Sequence, residues 1–211
     1  MTKIGLLMSG QGSEKVGMGN GLYQTYPQYR AVIDQASVYA KLNLPAIMND
    51  ATLLGQTRYA QPALVAMSVG INALLADADI AVAEAIGLSL GEYAALITSG
   101  QLSLAEGMPL VVQRGALMQA AIGDQAHAMA AILKPDIAQV EAACAMLQAQ
   151  GQQVSIANYN SPQQIVVGGT EAGVTALLTE HYLKCGRCAY RSRGRFIPRF
   201  LSKRRSISKQ R

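Results

Sequence analysis

A Gly-x-Ser-x-Gly segment, Gly87 to Gly91, is the first feature of this 211-residue chain that could carry chemistry. It follows a short apolar run over 80–86 and precedes a helical pattern over 92–98, which is the strand–turn–helix setting of a nucleophile elbow. The glycines would permit a sharp turn that exposes the Ser89 hydroxyl, and the next helix would direct N–H groups toward an oxyanion. The same pattern also occurs in ordinary Gly-Ser turns, so the segment alone leaves both interpretations open.

A single cation, Arg114, is the second candidate. It lies within an apolar helical pattern and is the only Lys or Arg between Arg58 and Lys134. A guanidinium in that position could bind a substrate carboxylate through two parallel hydrogen bonds. It could equally extend from a helix surface into water, with its aliphatic stem on the apolar neighbours. Periodicity alone does not choose between these two interpretations.

Strand and helix patterns alternate through the first part of the chain. The run from Lys3 to Met8 predicts a buried strand that enters a glycine-rich loop at Gly10 to Ser13. Helices are expected over 27–40, 62–76 and 103–121. Ser103 and Glu106 form a capping-box pair at the start of the last one. This alternation favours an α/β layered fold.

The pattern changes after Gly123, where the predicted order becomes β-α-β-β-α. The expected elements are strands over 128–133, 153–157 and 164–167 and helices over 135–150 and 171–183. This is the order of a ferredoxin-like unit without its last strand. A basic segment occupies the position where that strand is expected.

Composition limits the class of protein. Half of the residues are hydrophobic and 15% are charged, which excludes disorder for most of the chain. Three cysteines are too few for a disulfide framework, and no leader-like segment precedes the first strand, so the cytoplasm is expected. A membrane-spanning helix is not expected, because Asp77, Asp79 and Glu84 interrupt the long Ala-rich stretch.

Charge is divided unevenly along the chain. Residues 181–211 hold 11 of the 18 Lys and Arg residues and none of the 13 acidic ones. Such a tail could bind nucleic acid or anionic lipid. A reading-frame shift near Lys184 explains its abrupt start, its lack of acid and its lack of apolar periodicity with one event, and is preferred. Cys185 and Cys188 form a C-x-x-C without the second pair that a zinc site needs, so no metal site is expected.

Six segments in a fixed order carry a resemblance to a known family. They are Ser9-Gly10-Gln11-Gly12-Ser13, Val16-Gly17-Met18-Gly19, Gln61-Pro62-Ala63-Leu64, Gly87-Leu88-Ser89-Leu90-Gly91-Glu92-Tyr93-Ala94-Ala95-Leu96, Gln113-Arg114-Gly115 and Asn158-Tyr159-Asn160-Ser161-Pro162. Together they resemble the malonyl-CoA:acyl carrier protein transacylase family of fatty-acid synthesis. The resemblance implies a hydrolase-like α/β domain with an inserted ferredoxin-like α+β subdomain, both incomplete at the C-terminus. The expected domains are 1–124, 125–184 without the last strand, and a basic tail over 185–211.

The resemblance also assigns roles to particular residues. It implies that Ser89 is the nucleophile that takes a malonyl group from coenzyme A, and that Arg114 binds the free malonyl carboxylate. The backbone N–H groups of Gln11 and Leu90 would form the oxyanion hole. The phosphopantetheine thiol of acyl carrier protein would then attack the malonyl-serine, with no metal or other cofactor and no nucleic-acid or membrane partner.

Two departures from the family pattern bear on activity. Leu88 stands where many members have histidine, next to the nucleophile, and this change is expected to be tolerated. The family's general-base histidine segment is absent, and the only histidines, His127 and His181, lie in other contexts. Impaired catalysis is therefore expected. Two alternatives stay open, a related serine thioesterase or acyltransferase, and a non-catalytic protein with a nucleic-acid- or membrane-binding tail.

Overall fold

The computed structural model describes residues 4–122, 126–181, 188–192 and 195–197. The chain forms two compact units, Met1–Gly123 and Asp124–Arg211. Each unit combines helices with a sheet and has its own hydrophobic core. The α/β class predicted from the sequence is confirmed.

Helices make up most of the first unit. Its elements are β1 (Ile4–Met8), α1 (Asn20–Thr25), α2 (Pro27–Ala40), α3 (Leu44–Asn49), α4 (Ala51–Leu54), α5 (Thr57–Asp77), β2 (Val82–Gly87), α6 (Leu90–Thr98) and α7 (Leu104–Ile122). β1 and β2 pair in parallel, with Met8 opposite Gly87. This pairing brings the ends of both strands, and the loops that follow them, to the same edge of the sheet.

The core of the first unit lies between its helices. Its largest fully buried side chains are Tyr29, Ile33, Leu44, Leu64, Leu90 and Met108. The first residue of α6 and the middle of α5 therefore share one apolar core with α2 and α7. This packing fixes the helices that carry the candidate site residues.

Several helix ends follow from local hydrogen bonds. Asn43 and Asp50 cap α3 and α4, because their side chains accept hydrogen bonds from N–H groups of the first turn. The short helices α1, α3 and α4 are absent from the sequence prediction. The predicted capping pair is confirmed, since the Ser103 hydroxyl and N–H both donate to the Glu106 carboxylate. These hydrogen bonds hold the pKa of Glu106 below its ordinary value.

Helix α5 begins earlier than the sequence predicts. The sequence places Pro62 near the first turn, yet the helix starts at Thr57 and Pro62 lies inside it. The first turn of α5 forms ahead of the proline, because the N–H groups of Tyr59 and Ala60 both donate to the carbonyl of Gln56. By length and composition α5 is the one helix in the described part of the chain that could cross a membrane. Its residues 60–66 are buried within the unit, as in the core helix of a globular domain.

The second unit is a five-stranded sheet with helices. Its elements are β3 (His127–Leu133), α8 (Ile137–Ala149), β4 (Val154–Ser161), β5 (Gln164–Thr170), α9 (Glu171–Ala176), a π-helical turn (Leu177–His181), β6 (Cys188–Ser192) and β7 (Arg195–Ile197). The strand order is β4-β5-β3-β6-β7, and β3 is antiparallel to both of its neighbours. The order β4-β5-β3-β6 is that of a ferredoxin-like sheet.

The strand that completes the ferredoxin-like order, β6, is present in the sheet, contrary to the sequence prediction. The sequence predicts a subdomain that lacks it, with residues 185–211 as a tail outside the fold. Instead, β6 pairs with β3 from Ala128 to Ile132, and β7 pairs with β6. Strand pairing joins backbone N–H and C=O groups, so the basic composition of the segment does not prevent it. The tail beyond Ile197 lies outside the described residues.

Two other elements have boundaries that differ from those predicted from the sequence. The predicted turn at Asn158 to Pro162 lies largely inside β4, which continues to Ser161. Register shifts between Ile156 and Asn158, and again before Ser161, let the strand keep pairing with β5 through this segment. The predicted helix over 171–183 is a single turn and a half of α-helix followed by the π-helical turn.

Candidate active site

Ser89 stands in a strained turn between β2 and α6. Its backbone angles are φ 55° and ψ −105°, a conformation that residues with a Cβ rarely adopt. β2 ends at Gly87 and α6 begins at Leu90, so the predicted strand–turn–helix setting is present. Backbone strain of this kind costs about 1–3 kcal/mol and persists where the surrounding structure enforces it. The Ser89 side chain is exposed.

The two glycines of the segment are needed for close packing. A Cβ on Gly87 would overlap the backbone of Gly91, so the turn closes only without a side chain there. A Cβ on Gly91 would lie 2.5 Å from the carbonyl oxygen of Met8, at the end of β1. A Cβ on Gly10 would approach the carbonyl oxygen of Leu88 to 3.3 Å. The loop after β1 therefore packs directly against the turn that holds Ser89.

Arg114 reaches Ser89 from α7. Its Nη2 donates a hydrogen bond to the Ser89 Oγ at 2.7 Å, and its guanidinium carbon lies 5.7 Å from the centre of the Tyr93 ring. The side chain is half-buried. The structure therefore excludes the interpretation in which Arg114 simply extends from a helix surface into water. Of the predicted site residues, Ser89 and Arg114 are in direct contact.

A buried glutamine connects Arg114 to the loop after β1. Gln61, on α5, is fully buried, and its Oε1 accepts a hydrogen bond from the Arg114 Nη1 at 2.7 Å. Its Nε2 donates to the Gln11 Oε1 at 3.1 Å, and the Gln11 Nε2 donates to the Thr57 Oγ1 at 2.9 Å. A continuous chain of hydrogen bonds thus runs from Ser89 to Thr57.

Gln61 and Thr57 are not identified as site residues by the sequence. Gln61 belongs to one of the segments that carry the family resemblance, but the resemblance attaches no role to it. A buried amide on an apolar helix is the available signal, because a polar side chain in such a position requires partners.

The two backbone donors proposed from the resemblance lie close to Ser89, at the start of α6 and in the loop after β1. Leu90 is the first residue of α6, so its N–H has no carbonyl of its own helix to bind. The next two N–H groups, of Gly91 and Glu92, donate to the carbonyls of Leu88 and Ser89. Gln11 stands in the loop packed against this turn. An oxyanion formed at Ser89 would lie at the positive end of the α6 dipole.

The two histidines belong to the other unit. His127 begins β3, and His181 ends the π-helical turn. No histidine precedes residue 127 in the sequence, so the unit that contains Ser89 has none. Within the described ranges, no three His, Cys, Asp or Glu side chains are grouped to hold a metal ion. The predicted C-x-x-C pair includes Cys185, which lies outside these ranges.

Comparison with known proteins identifies the family. The model of the acyl transferase domain matches residues 6–187. The malonyl CoA-acyl carrier protein transacylase of Bacillus subtilis is 36% identical over 176 residues, which cover 82% of this chain and 56% of the relative. The chain thus spans little more than half the length of that relative.

Solved structures agree with this match. The crystal structure of malonyl-CoA:acyl carrier protein transacylase from Xanthomonas oryzae pv. oryzae is 38% identical with a TM-score of 0.81, over 92% of this chain and 62% of that one. A malonyl-transacylase in complex with its type II polyketide synthase acyl-carrier protein is 30% identical with a TM-score of 0.79, over 93% of this chain and 63% of that one. The chain belongs to the acyl transferase domain family.

Proposed function

We propose that this chain transfers a malonyl group from coenzyme A to the phosphopantetheine thiol of an acyl carrier protein, through an ester on Ser89. The observation that carries the proposal is the 2.7 Å hydrogen bond between the Arg114 guanidinium and the Ser89 Oγ. A fixed cation beside the nucleophile suits an acyl group that ends in its own carboxylate, and arginine can bind a carboxylate with two parallel hydrogen bonds.

In the first half-reaction the Ser89 Oγ attacks the thioester carbonyl of malonyl-CoA. The carbonyl oxygen becomes an oxyanion, for which the N–H groups of Leu90 and Gln11 are the proposed donors. The carbon–sulfur bond then breaks, and coenzyme A leaves as a thiol that has gained the proton lost from the serine. Malonyl-Ser89 remains, with its carboxylate on Arg114.

In the second half-reaction the carrier protein's thiol attacks the malonyl-serine ester. The Ser89 oxygen leaves and recovers a proton, so the enzyme returns to its starting state. The structural relative solved with its acyl-carrier protein supports a protein thiol as the acceptor. The proposed reaction uses no metal or prosthetic group. Malonyl-CoA enters it as a substrate and not as a bound cofactor. The proposed location is the cytoplasm, and fatty-acid synthesis is the proposed pathway.

The rate of the proposed reaction depends on which group accepts the serine proton. A positioned general base contributes about 10²- to 10⁴-fold, and the unit that holds Ser89 contains no histidine. We expect this chain to form malonyl-Ser89 slowly, with solvent as the proton acceptor. Replacement of His127 by alanine tests whether that histidine accepts the serine proton, since the rate would then fall further.

The experiment is incubation with malonyl-CoA, followed by intact-mass and peptide analysis. A malonyl adduct on Ser89 is expected, and Ser89→Ala should remove it. Ser99→Ala, at the other end of α6, is the matched control and should keep the adduct on Ser89. An adduct at another residue, or one that survives in Ser89→Ala, would contradict the proposal.

The fate of the adduct distinguishes the transferase from a thioesterase. Added acyl carrier protein should remove the malonyl group and become malonylated in the same amount. Release of free malonate at the same rate with or without the carrier would instead indicate a thioesterase. Salt-sensitive binding of nucleic acid or anionic vesicles that is lost on deletion of residues 198–211, in a chain that forms no adduct, would indicate the basic binding protein.

A further inference from the structure

We propose that Gln61 is the positioning residue of this site, and that its single buried amide fixes both Arg114 and the side chain of Gln11. The inference deepens the proposed function, on which it rests. Gln61 has no exposed surface, yet it lies within hydrogen-bond distance of both side chains. The two contacts use the two polar atoms of one amide, Oε1 toward Arg114 and Nε2 toward Gln11.

The directions of these hydrogen bonds follow from the chemistry of the groups. A guanidinium only donates hydrogen bonds, so the Gln61 Oε1, and not its Nε2, must face Arg114. The Gln61 Nε2 is then obliged to donate, and it does so to the Gln11 Oε1, with the Met118 Sδ 3.2 Å away. The Gln11 Nε2 in turn donates to the Thr57 hydroxyl. One cation therefore sets the orientation of two amides.

Burial makes this arrangement rigid. An amide that loses a partner in the core keeps the cost of its own desolvation, so Gln61 is held to both neighbours. Its helix is anchored in the same core, with Ala60, Ala63 and Leu64 buried around it. The Arg114 Nη1 is consequently fixed to the scaffold, and the Nη2 edge is the one that meets Ser89.

Gln61 would then help to position both the free carboxylate and the thioester carbonyl of the malonyl group. Arg114 is the proposed partner of the malonyl carboxylate, and the backbone N–H of Gln11 is a proposed donor to the oxyanion. Because Gln61 binds both side chains, its loss should disturb carboxylate recognition and the oxyanion loop in the same variant. Acetyl-CoA, which has no free carboxylate, should be affected only through the loop.

The test compares three variants with the unchanged chain. Gln61→Leu removes both hydrogen bonds at similar volume. Gln61→Glu keeps the acceptor for Arg114 but places a carboxylate where the malonyl carboxylate must compete. Ser68→Ala is the matched control, because Ser68 is a buried polar residue of the same helix whose hydroxyl donates to the Leu64 carbonyl of its own helix.

The first measurement does not depend on activity. Nitrogen-detected NMR of the Arg114 guanidinium should show restricted rotation about its Cζ–Nη bonds in the unchanged chain and in Ser68→Ala. Averaged Nη signals are expected in Gln61→Leu, and restricted rotation again in Gln61→Glu. Restricted rotation that persists in Gln61→Leu would overturn the positioning role, whether or not the chain forms an adduct.

The second measurement is the rate of Ser89 labelling by malonyl-CoA and by acetyl-CoA. Loss of one charge-assisted hydrogen bond predicts a fall of about tenfold in the malonyl-to-acetyl ratio for Gln61→Leu, and at least as large a fall for Gln61→Glu. An unchanged ratio in both variants, with normal labelling in the unchanged chain, would overturn the inference alone. Absence of labelling in the unchanged chain would instead overturn the proposed function, and the NMR result would then decide the role of Gln61.

Discussion

The Nη2 of Arg114 donates a hydrogen bond to the Oγ of Ser89 at 2.7 Å across the first unit, between the helix α7 and the turn before α6. The contact joins residues that are 25 positions apart in the sequence. A serine oxygen that accepts a hydrogen bond from a cation is a weaker nucleophile, because the bond draws on the lone pair needed for attack. A malonyl carboxylate that binds Arg114 would compete for the same donor and release the Ser89 oxygen.

Replacing Arg114 tests its proposed role. A charged hydrogen bond contributes about 1.5–3 kcal/mol, so Arg114→Ala should lower the rate of Ser89 labelling by malonyl-CoA at least about tenfold. Labelling by acetyl-CoA should change little or rise, since the serine oxygen is freed. Arg114→Lys keeps the charge without the second parallel hydrogen bond and should recover part of the malonyl rate. Equal losses with both substrates would mean that Arg114 has a structural role only.

The strain at Ser89 predicts an unusual order of stability. At ordinary positions glycine is less stable than alanine by about 0.5–1 kcal/mol, because glycine loses more backbone freedom on folding. At Ser89 the φ of 55° penalises any Cβ, so Ser89→Gly should be at least as stable as Ser89→Ala in urea unfolding. Ser99 is the C-cap residue of the same helix and has right-handed helical backbone angles. Ser99→Gly and Ser99→Ala are the control variants, and Ser99→Ala should be the more stable of the two. Ser89→Ala exceeding Ser89→Gly in stability would show that the turn is relaxed.

The pairing of β6 with β3 is tested by deletion. Removing residues 188–211 would leave the edge of β3 that faces away from β5 unpaired from Ala128 to Ile132, and an open strand edge favours aggregation. Faster hydrogen exchange in alternate amides of β3 and stronger binding of a hydrophobic dye are expected. Deletion of residues 198–211 leaves β6 and β7 in place and should change neither. Unchanged exchange in the longer deletion would show that β6 does not hold this position.

Local patterns in the sequence were enough to predict the elbow, the capping pair and the alternation of strands and helices. They could not predict the contact of Gln61 with Arg114 and Gln11, because these residues are 53 and 50 positions from it in the sequence and meet only through packing of α5 against α7 and the loop after β1. The last strand of the second unit was missed for a different reason. Its composition is typical of a solvated basic tail, whereas its place in the sheet depends on the open edge of β3.

A buried hydroxyl in the core of the first unit gives a prediction about alkaline stability. Tyr29 is fully buried between Gly19 and Gly70, and its hydroxyl has no hydrogen-bond partner among the residues that the structure describes. Burial raises the pKa of Tyr29 to about 12 from 10.0. Between these two pH values the unfolded chain releases the Tyr29 proton and the folded chain keeps it. The stability that depends on the neutral phenol is therefore complete below pH 10 and is lost as the pH rises toward 12.

Tyr29→Phe removes both the titration and the unpaired hydroxyl. At neutral pH the variant should be more stable than the unchanged chain by about 1 kcal/mol, because an unsatisfied buried polar group no longer has to be desolvated. Its advantage should widen above pH 10, in urea unfolding followed at several pH values. Tyr26→Phe is the control, since the Tyr26 side chain is 45% exposed, and should leave the stability unchanged at neutral pH. If Tyr29→Phe were less stable than the unchanged chain, and both lost the same unfolding free energy above pH 10, the hydroxyl would have a hydrogen-bond partner in solution.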